Sequence, residues 1–478
     1  MKRAGLALWL LTLCWSALAD EAALLALVER SGLPRDSLSL LAVEQGPGGP
    51  RTRLAVNAHQ ALVPASVTKL VTAAAVLREI PLGTRFETRL MSAAPLRDGI
   101  LDGDLVMEGR GDPSLVSETL WVLVNRLAQV GVTAIRGDIL VDADYFDDSL
   151  LDPSRDTRRS EMAYDAPVSA LSFNWNALTL TIAPGETPGA PARVRVDPPS
   201  DYLRIHNSAR TVPGSAISKL VASRRPGDDH PGDTLVVSGE IGLNADPFEG
   251  YRNITRPDLW AGANLKLYLG YRGIAVDGEV RPGPVAPGSR LLARVQGRPV
   301  EQLLVDMNKV SSNFIAEMLT KNLGARRAPP GTMAGGMAVL NGYMATLGLA
   351  PSHYLLTNPS GLTRQNRLSA TALVRVLDDM AGDFRVANEF LASLPIAGID
   401  GTLENRMTAT PARGWVRAKT GYIDGAVSLA GFAGHASGHG PGRVTFAFVY
   451  NGPEPAYRVR ALFDRLSAAL VTPVQGAR

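Results

Sequence analysis

The sequence contains very little cysteine. Cys14 is the only one among 478 residues, and it lies in the apolar stretch near the N-terminus. Disulfide-stapled folds, thiol catalysis and cysteine-rich zinc sites are therefore not expected. The six histidines are scattered and no H-E-x-x-H motif occurs, which argues against a catalytic metal. We expect neither a metal nor another cofactor.

Dense runs of one charge are also missing. Lysine and arginine total 49, aspartate and glutamate total 46, and the formal net charge is +3. Since the cations are spread along the chain, no nucleic-acid partner is expected. After the first 20 residues no apolar stretch is long enough to cross a bilayer, so we expect no transmembrane anchor in the mature chain.

The N-terminal segment has the pattern of an export signal. Two basic residues precede an apolar stretch, and the small residues Ala17 and Ala19 mark a cleavage site. We expect residues 1–19 to be a signal peptide and the mature chain, beginning at Asp20, to be exported across the inner membrane to the periplasm. A membrane anchor is the alternative, but the apolar stretch is short for a span.

The pattern of the sequence changes twice along the chain. Helical periodicity gives way, from about residue 85, to short strand-like runs separated by proline and glycine clusters. Helical patterns return near residue 256, and strands and a helix close the chain. This order predicts an α/β (α+β) catalytic domain formed by residues 20–84 and 256–478 and interrupted by a β-rich unit at residues 85–255.

The first candidate motif is Ser66-Val67-Thr68-Lys69, at the start of a helix predicted over Ser66–Ile80. A serine and a lysine three residues apart share one helix face, so the amine can reach the hydroxyl. An N-cap serine followed by a solvated lysine is the simpler alternative. The apolar residues that follow, however, predict a helix buried nearly all round, where a lysine costs energy unless it has a role.

The second motif is Lys419-Thr420-Gly421, predicted at the end of a strand over Trp415–Lys419. On an edge strand it would present a cation, a hydroxyl and an accessible backbone to an extended peptide that ends in a carboxylate. The alternative is a strand–turn signal with an exposed lysine.

The third motif is Ser311-Ser312-Asn313, between two amphipathic helical patterns. A hydroxyl and an amide two residues apart in a tight link can point together into a cleft. The alternative is a helix N-cap, for which serine and asparagine are favoured.

Serine-x-x-lysine, serine-x-asparagine and lysine-threonine-glycine, in this order, form the set found in penicillin-binding proteins and β-lactamases. Together with the stretches 111–115, 166–171 and 358–362, they make the chain resemble the D-alanyl-D-alanine carboxypeptidase/endopeptidase family of low-molecular-mass class C penicillin-binding proteins. Two positions depart from the family pattern: Ser312 stands where many relatives carry aspartate, and Tyr422 stands where a small hydroxyl residue is frequent.

The resemblance implies a serine β-lactamase/transpeptidase-like catalytic domain with an insertion of two small domains. It also implies an acyl-enzyme mechanism on peptidoglycan stem peptides and covalent inhibition by β-lactam antibiotics. Ser66 would attack the carbonyl between two D-alanines with Lys69 as base, and the N–H groups of Ser66 and Tyr422 would hold the oxyanion.

The remaining roles also follow from the resemblance. Ser311 would relay a proton to the leaving amine, and Asn313 would bind the substrate backbone or orient the catalytic lysine. Lys419 and Thr420, with Gly421 beside them, would hold the terminal carboxylate. Asp142, after a strand predicted over residues 137–141, matches an acidic family position and would pair with the free amine of diaminopimelate; a solvated strand-end aspartate is its alternative.

Two other functions remain open at this point. A β-lactamase would share the nucleophile and the fold, but the large insertion and the lack of an identifiable deacylation carboxylate argue against it. A catalytically silent cell-wall-binding scaffold would not need the reactive side chains, all of which are present.

Overall fold

A computed structural model describes residues 21–46, 49–155, 159–434 and 443–471. The expected signal peptide, residues 1–19, lies outside these ranges. No helix within them is long and apolar enough to span a membrane. The chain divides into two compact units, the first formed by Met1–Leu82, Leu304–Ala316 and Met337–Arg478, the second by Gly83–Leu303 and Glu317–Gly336.

The first unit is built around a five-stranded antiparallel sheet. Its strand order is Gly49–Val56, Leu38–Gly46, Arg443–Asn451, Ala426–Gly434 and Val416–Ile423. The last of these is an edge strand, which leaves part of its backbone open to an added peptide.

The other elements of the first unit are helices and short strands. A helix spans residues 21–30. The other α-helices that lie wholly in this unit are Lys69–Glu79, Ala370–Gly382, Ala387–Ser393 and Ala456–Val471. The 3-10 turns are Arg35–Ser37, Ala65–Thr68, Pro351–His353 and Gly401–Leu403, and a small ladder joins Tyr354–Leu355 to Arg367–Leu368. The helices Val300–Lys309, Asn313–Arg327 and Met333–Thr346 contain residues of both units.

Two of the three interior strands of this sheet are buried on both faces. Ala426–Gly434 and Arg443–Asn451 therefore read as nearly continuous apolar runs rather than alternating ones. Phe446 and Phe448 stack with ring centroids 4.8 Å apart, and Phe448 packs on Phe463 of the C-terminal helix at 5.6 Å. Each such buried ring contributes roughly 1.5–3 kcal/mol to the apolar core.

The helix that carries Lys69 is buried nearly all round, as the sequence predicts. Every residue from Lys69 to Leu77 is buried. The predicted start at Ser66 is a 3-10 turn, Ala65–Thr68, which continues into the α-helix. This rigid setting fixes the position of the lysine relative to the turn that holds the serine.

Within the described residues, the second unit contains four sheets and two α-helices that lie wholly inside it. Its five-stranded sheet has the order Val280–Pro282, Ile139–Asp142, Leu105–Gly109, Arg85–Ser92 and Arg290–Pro299. A four-stranded sheet comprises Ala275–Val276, Ala134–Ile135, Ile100–Leu101 and Leu96–Arg97. A three-stranded sheet comprises Arg193–Asp197, Ala177–Ala183 and Phe248–Asn253. The fourth sheet comprises Leu203–Asn207, Asp233–Gly242, Arg210–Val212 and Ile217–Pro226. The helices are Ser117–Gln129 and Pro257–Tyr271, and the 3-10 turns are Ala163–Asp165 and Asn174–Asn176.

The second unit extends beyond the predicted insertion of residues 85–255. The helix Pro257–Tyr271 joins the core of this unit, where Trp260 is fully buried and donates its indole N–H to the carbonyl oxygen of Phe173 at 3.1 Å. The strand Arg290–Pro299 likewise pairs with Arg85–Ser92. The sequence boundary differs because periodicity predicts that a segment is helical but not which core its apolar face joins. The division of the insertion into two small domains stays a prediction.

Candidate active site

Lys69 and Ser66 are in hydrogen-bonding contact within the first unit. The Lys69 Nζ lies 3.0 Å from the Ser66 Oγ, which is the contact that the three-residue spacing predicts. The lysine is fully buried, whereas the serine is partly exposed. The same amine donates to the Asn313 Oδ1 at 2.7 Å and to the Ser360 carbonyl oxygen at 2.6 Å.

A second amine–hydroxyl pair belongs to the same unit. The Lys419 Nζ donates to the Ser311 Oγ at 2.9 Å and to the Thr420 carbonyl oxygen at 2.8 Å. Lys419 is fully buried, and this burial lowers its pKa to about 7, because a charged amine is disfavoured away from water.

The backbone is strained on both sides of the site. Ala65, directly before the predicted nucleophile, has φ +51°, and Ser311 has φ +61°. Left-handed backbone in a residue with a side chain costs roughly 1–3 kcal/mol and concentrates at functional sites. Gly361, with φ +79°, lies against the 3-10 turn Ala65–Thr68. A Cβ at Gly361 would approach the Ala65 carbonyl oxygen to 1.9 Å.

The middle residue of the serine-x-asparagine motif has a structural role. The Ser312 Oγ accepts a hydrogen bond from the Ile315 N–H at 3.2 Å, as an N-cap of the helix Asn313–Arg327 does. The helix N-cap that was the alternative interpretation of this motif is therefore present, and Ser312 supplies it. Its neighbours Ser311 and Asn313 contact the two lysines instead.

The lysine-threonine-glycine motif lies inside the edge strand Val416–Ile423, not at the end of a strand over Trp415–Lys419 as the sequence suggested. Gly421 lets this strand approach the nucleophile turn. A Cβ at Gly421 would lie 2.1 Å from the Ser428 Oγ and 3.0 Å from the Ser66 nitrogen. Only glycine fits there without displacing the backbone N–H of Ser66.

One pocket of about 280 Å³ joins these groups. Of the predicted site residues, Ser66, Ser311, Thr420, Gly421 and Tyr422 line it. Lys69, Asn313 and Lys419 are buried and do not line the pocket. Lys69 contacts Ser66, Lys419 contacts Ser311, and Asn313 is linked to Ser66 through Lys69. The structure thus brings together eight predicted residues that are separated by up to 356 positions (66 to 422) in the sequence.

Asp142, the ninth predicted residue, belongs to the second unit. It is the last residue of the strand Ile139–Asp142 and is 9% exposed. Its Oδ1 accepts the Asp144 N–H at 3.0 Å and its Oδ2 accepts the Val285 N–H at 2.7 Å. Both oxygens thus accept backbone N–H groups of the second unit, and the pairing of Asp142 with a substrate amine stays a prediction.

The loop at Asn358 was not among the predicted site residues. The Asn358 Oδ1 accepts hydrogen bonds from the Ser360 N–H at 2.9 Å, the Ser360 hydroxyl at 2.8 Å and the Gly361 N–H at 2.8 Å. This turn presents the Ser360 carbonyl oxygen to Lys69. The residues Asn-Pro-Ser-Gly favour a tight turn, and this was the one local feature of the sequence from which the loop could have been predicted.

Three further pocket residues were also missed. Thr402 accepts a hydrogen bond from the Thr420 hydroxyl at 2.8 Å, and Arg406 and Arg460 complete the lining. Nothing in their local sequence distinguishes them from ordinary surface residues.

Comparison with known proteins identifies the family. A model of the D-Ala-D-Ala carboxypeptidase 3 (S13) family matches residues 53–470. A D-alanyl-D-alanine carboxypeptidase from an Actinomadura species is 33% identical over 425 residues, which cover 85% of this chain and 77% of the relative. The D-alanyl-D-alanine carboxypeptidase DacB of Haemophilus influenzae is 26% identical over 404 residues, covering 83% of this chain and 82% of the relative.

Solved structures agree on the fold. The crystal structure of penicillin-binding protein 4 from Haemophilus influenzae matches with a TM-score of 0.79 at 23% identity, covering 94% of this chain and 99% of that chain. The same protein complexed with a β-lactam matches with a TM-score of 0.74 over the same shares. The resemblance read from the motifs and the predicted transpeptidase-like fold are thereby confirmed. The chain belongs to the D-Ala-D-Ala carboxypeptidase 3 (S13) family and is a serine hydrolase of that family.

Proposed function

We propose that this hydrolase cleaves the peptide bond on the carboxyl side of a D-alanine of peptidoglycan stem peptides in the periplasm, as a carboxypeptidase on D-Ala-D-Ala ends, an endopeptidase on cross-links or both. The observation that carries the proposal is the contact of the Lys69 amine with the Ser66 hydroxyl, in a pocket that the Ser311–Lys419 pair also reaches. β-Lactams, which mimic this peptide, acylate the same serine.

The contacts of Lys69 suit a general base. The Asn313 Oδ1 and the Ser360 carbonyl oxygen can only accept hydrogen bonds. When the amine is neutral, its two N–H groups satisfy these two oxygens and its lone pair faces the Ser66 hydroxyl. The amine then takes the hydroxyl proton as the Ser66 Oγ attacks the carbonyl carbon.

The oxyanion of the tetrahedral intermediate is held by backbone N–H groups. Those of Ser66 and Tyr422 are the candidates, since Gly421 allows the strand to lie against the nucleophile turn. Ser311 relays a proton to the nitrogen of the leaving residue as the C–N bond breaks. Water then hydrolyses the Ser66 ester and restores the hydroxyl.

The test is covalent labelling by a fluorescent penicillin. Ser66→Ala should abolish labelling, whereas Ser352→Ala, at an exposed serine of the same unit, should leave it unchanged. Retained labelling of the Ser66→Ala protein would refute the assignment of the nucleophile.

Incubation of the purified protein with isolated peptidoglycan identifies the substrate. Loss of terminal D-alanine from pentapeptides indicates carboxypeptidase activity, and loss of cross-linked dimers indicates endopeptidase activity. Inertness toward both peptidoglycan and penicillin would instead support a silent scaffold.

A further inference from the structure

The active-site pocket is lined by two arginines and by no carboxylate among the residues that the structure describes. The charge of Arg406 is compensated, because its Nη2 lies 2.6 Å from the Asp464 Oδ1. Arg460 has no such partner within the described ranges. Its guanidinium carbon lies 5.1 Å from the centroid of the Tyr422 ring, at cation–π distance.

One helix arranges both arginines. Arg460 and Asp464 lie four residues apart on Ala456–Val471 and therefore on the same face. The carboxylate of Asp464 holds Arg406, and the ring of Tyr422 supports Arg460 from the edge strand. Among the described residues, the pocket thus has one arginine in an ion pair, Arg406, and one, Arg460, that is positioned by a ring and has no carboxylate within ion-pair distance.

The lysine of the edge strand cannot supply this exposed charge. Lys419 is fully buried, and its amine is engaged by the Ser311 hydroxyl and the Thr420 carbonyl oxygen. A ligand carboxylate in the pocket therefore meets the guanidinium of Arg460 directly, whereas the amine of Lys419 does not line the pocket.

We propose that Arg460 binds the free carboxylate of the leaving residue and thereby selects substrates that end in an anion. This inference rests on the proposed peptidase function of Ser66. Tyr422 stands where a small hydroxyl residue is frequent in the resembling proteins, and in this chain its ring carries the guanidinium of Arg460. Arginine suits this role because its planar fork can bind a carboxylate through two hydrogen bonds.

The experiment compares two substrates on three proteins. The substrates are an acetylated L-Lys-D-Ala-D-Ala peptide with a free carboxylate and the same peptide with a C-terminal carboxamide. Arg460→Ala should lower kcat/KM for the carboxylate peptide about tenfold, which is the size expected for a partly solvated charged hydrogen bond. It should leave kcat/KM for the carboxamide peptide nearly unchanged.

Arg465→Ala is the matched control, since it removes one exposed positive charge from the same helix without touching the pocket. It should change neither value. An Arg460→Ala protein that keeps the wild-type ratio of the two kcat/KM values, or loses both values equally, would overturn the inference while the peptidase function stands. If the wild-type protein hydrolyses neither peptide and also leaves isolated peptidoglycan unchanged, the proposed function fails and the inference fails with it.

Discussion

The amine of Lys69 lies 2.6 Å from the main-chain oxygen of Ser360, a residue 291 positions further along the chain. A main-chain oxygen cannot be altered by changing the side chain of its own residue, so the geometry of the loop decides this contact. That geometry is set by Asn358, whose side-chain oxygen accepts three hydrogen bonds from the turn. Asn358 is therefore expected to act as a positioning residue for the base.

Replacing Asn358 tests this dependence. Asn358→Ala leaves the buried N–H groups of Ser360 and Gly361 without their acceptor, at roughly 1–3 kcal/mol for each group. The loop should shift and the acylation rate with a fluorescent penicillin should fall by about tenfold or more.

Asn358→Asp keeps an acceptor oxygen at the same place and separates this role from general destabilisation. It should recover much of the acylation rate. Equal rates for wild type and Asn358→Ala, in protein of unchanged thermal stability, would show that the loop does not position the amine.

Gly421, which lines the pocket on the edge strand Val416–Ile423, provides a second test of the site geometry. In Gly421→Ala the new methyl group meets the Ser428 Oγ and approaches the Ser66 nitrogen to 3.0 Å, so the N–H groups proposed to hold the oxyanion must move. The loss of one oxyanion donor costs about 10²–10³ in rate, and we expect a loss of acylation rate approaching that size.

The control is Gly382→Ala, where an added Cβ meets nothing within 4 Å. It should acylate at the wild-type rate. Fast acylation by Gly421→Ala would mean that the edge strand does not contribute to the oxyanion site.

The parts of the site that the sequence predicted are those with local signals. The contact of Ser66 with Lys69 follows from a three-residue spacing in one turn. Ser311 and Lys419, whose contact spans 108 residues, were assigned to one site only because the resembling family combines these motifs. Ser360 acts through its backbone, which leaves no trace in residue type.

For the fold, too, the elements with local patterns were predicted, whereas the boundary between the two units was not. Helical periodicity gave the buried helix after Ser66, and alternation gave the β-rich middle section. The extent of the second unit was not predictable, because the helix Pro257–Tyr271 has apolar residues around most of its circumference and either core could accept them. Trp260 lies in the core of the second unit, and no local feature of the sequence determines that choice.

The buried amine of Lys419 predicts a pH-dependent stability. Its pKa is about 7 in the folded protein against 10.5 as the ordinary value, so between these pH values the unfolded chain binds more protons. Stability therefore rises with pH across this window, by up to about 1.4 kcal/mol per pH unit for one group. Below pH 7 both states carry the charge, and the full cost of its burial is present.

Lys419→Met removes this contribution. The variant should lose acylation but unfold at a higher temperature than wild type at pH 7 or below, and its advantage should shrink as the pH rises toward 10. Thermal unfolding of both proteins at pH 6, 7, 8, 9 and 10 measures the difference. A constant difference across this range would mean that Lys419 keeps its ordinary pKa in the folded protein.

The composition of the pocket also predicts the lifetime of the penicilloyl enzyme. Class A β-lactamases deacylate through a glutamate that activates water, and no aspartate or glutamate lines this pocket among the residues described. A missing general base typically costs 10²–10⁴ in rate, so the ester on Ser66 should persist for minutes or longer. Labelling with fluorescent penicillin, followed by a chase with excess unlabelled penicillin, measures its decay. Release of the label within seconds, with rapid turnover of a chromogenic cephalosporin, would instead require a water-activating group that these lining residues do not provide, and would favour a β-lactamase.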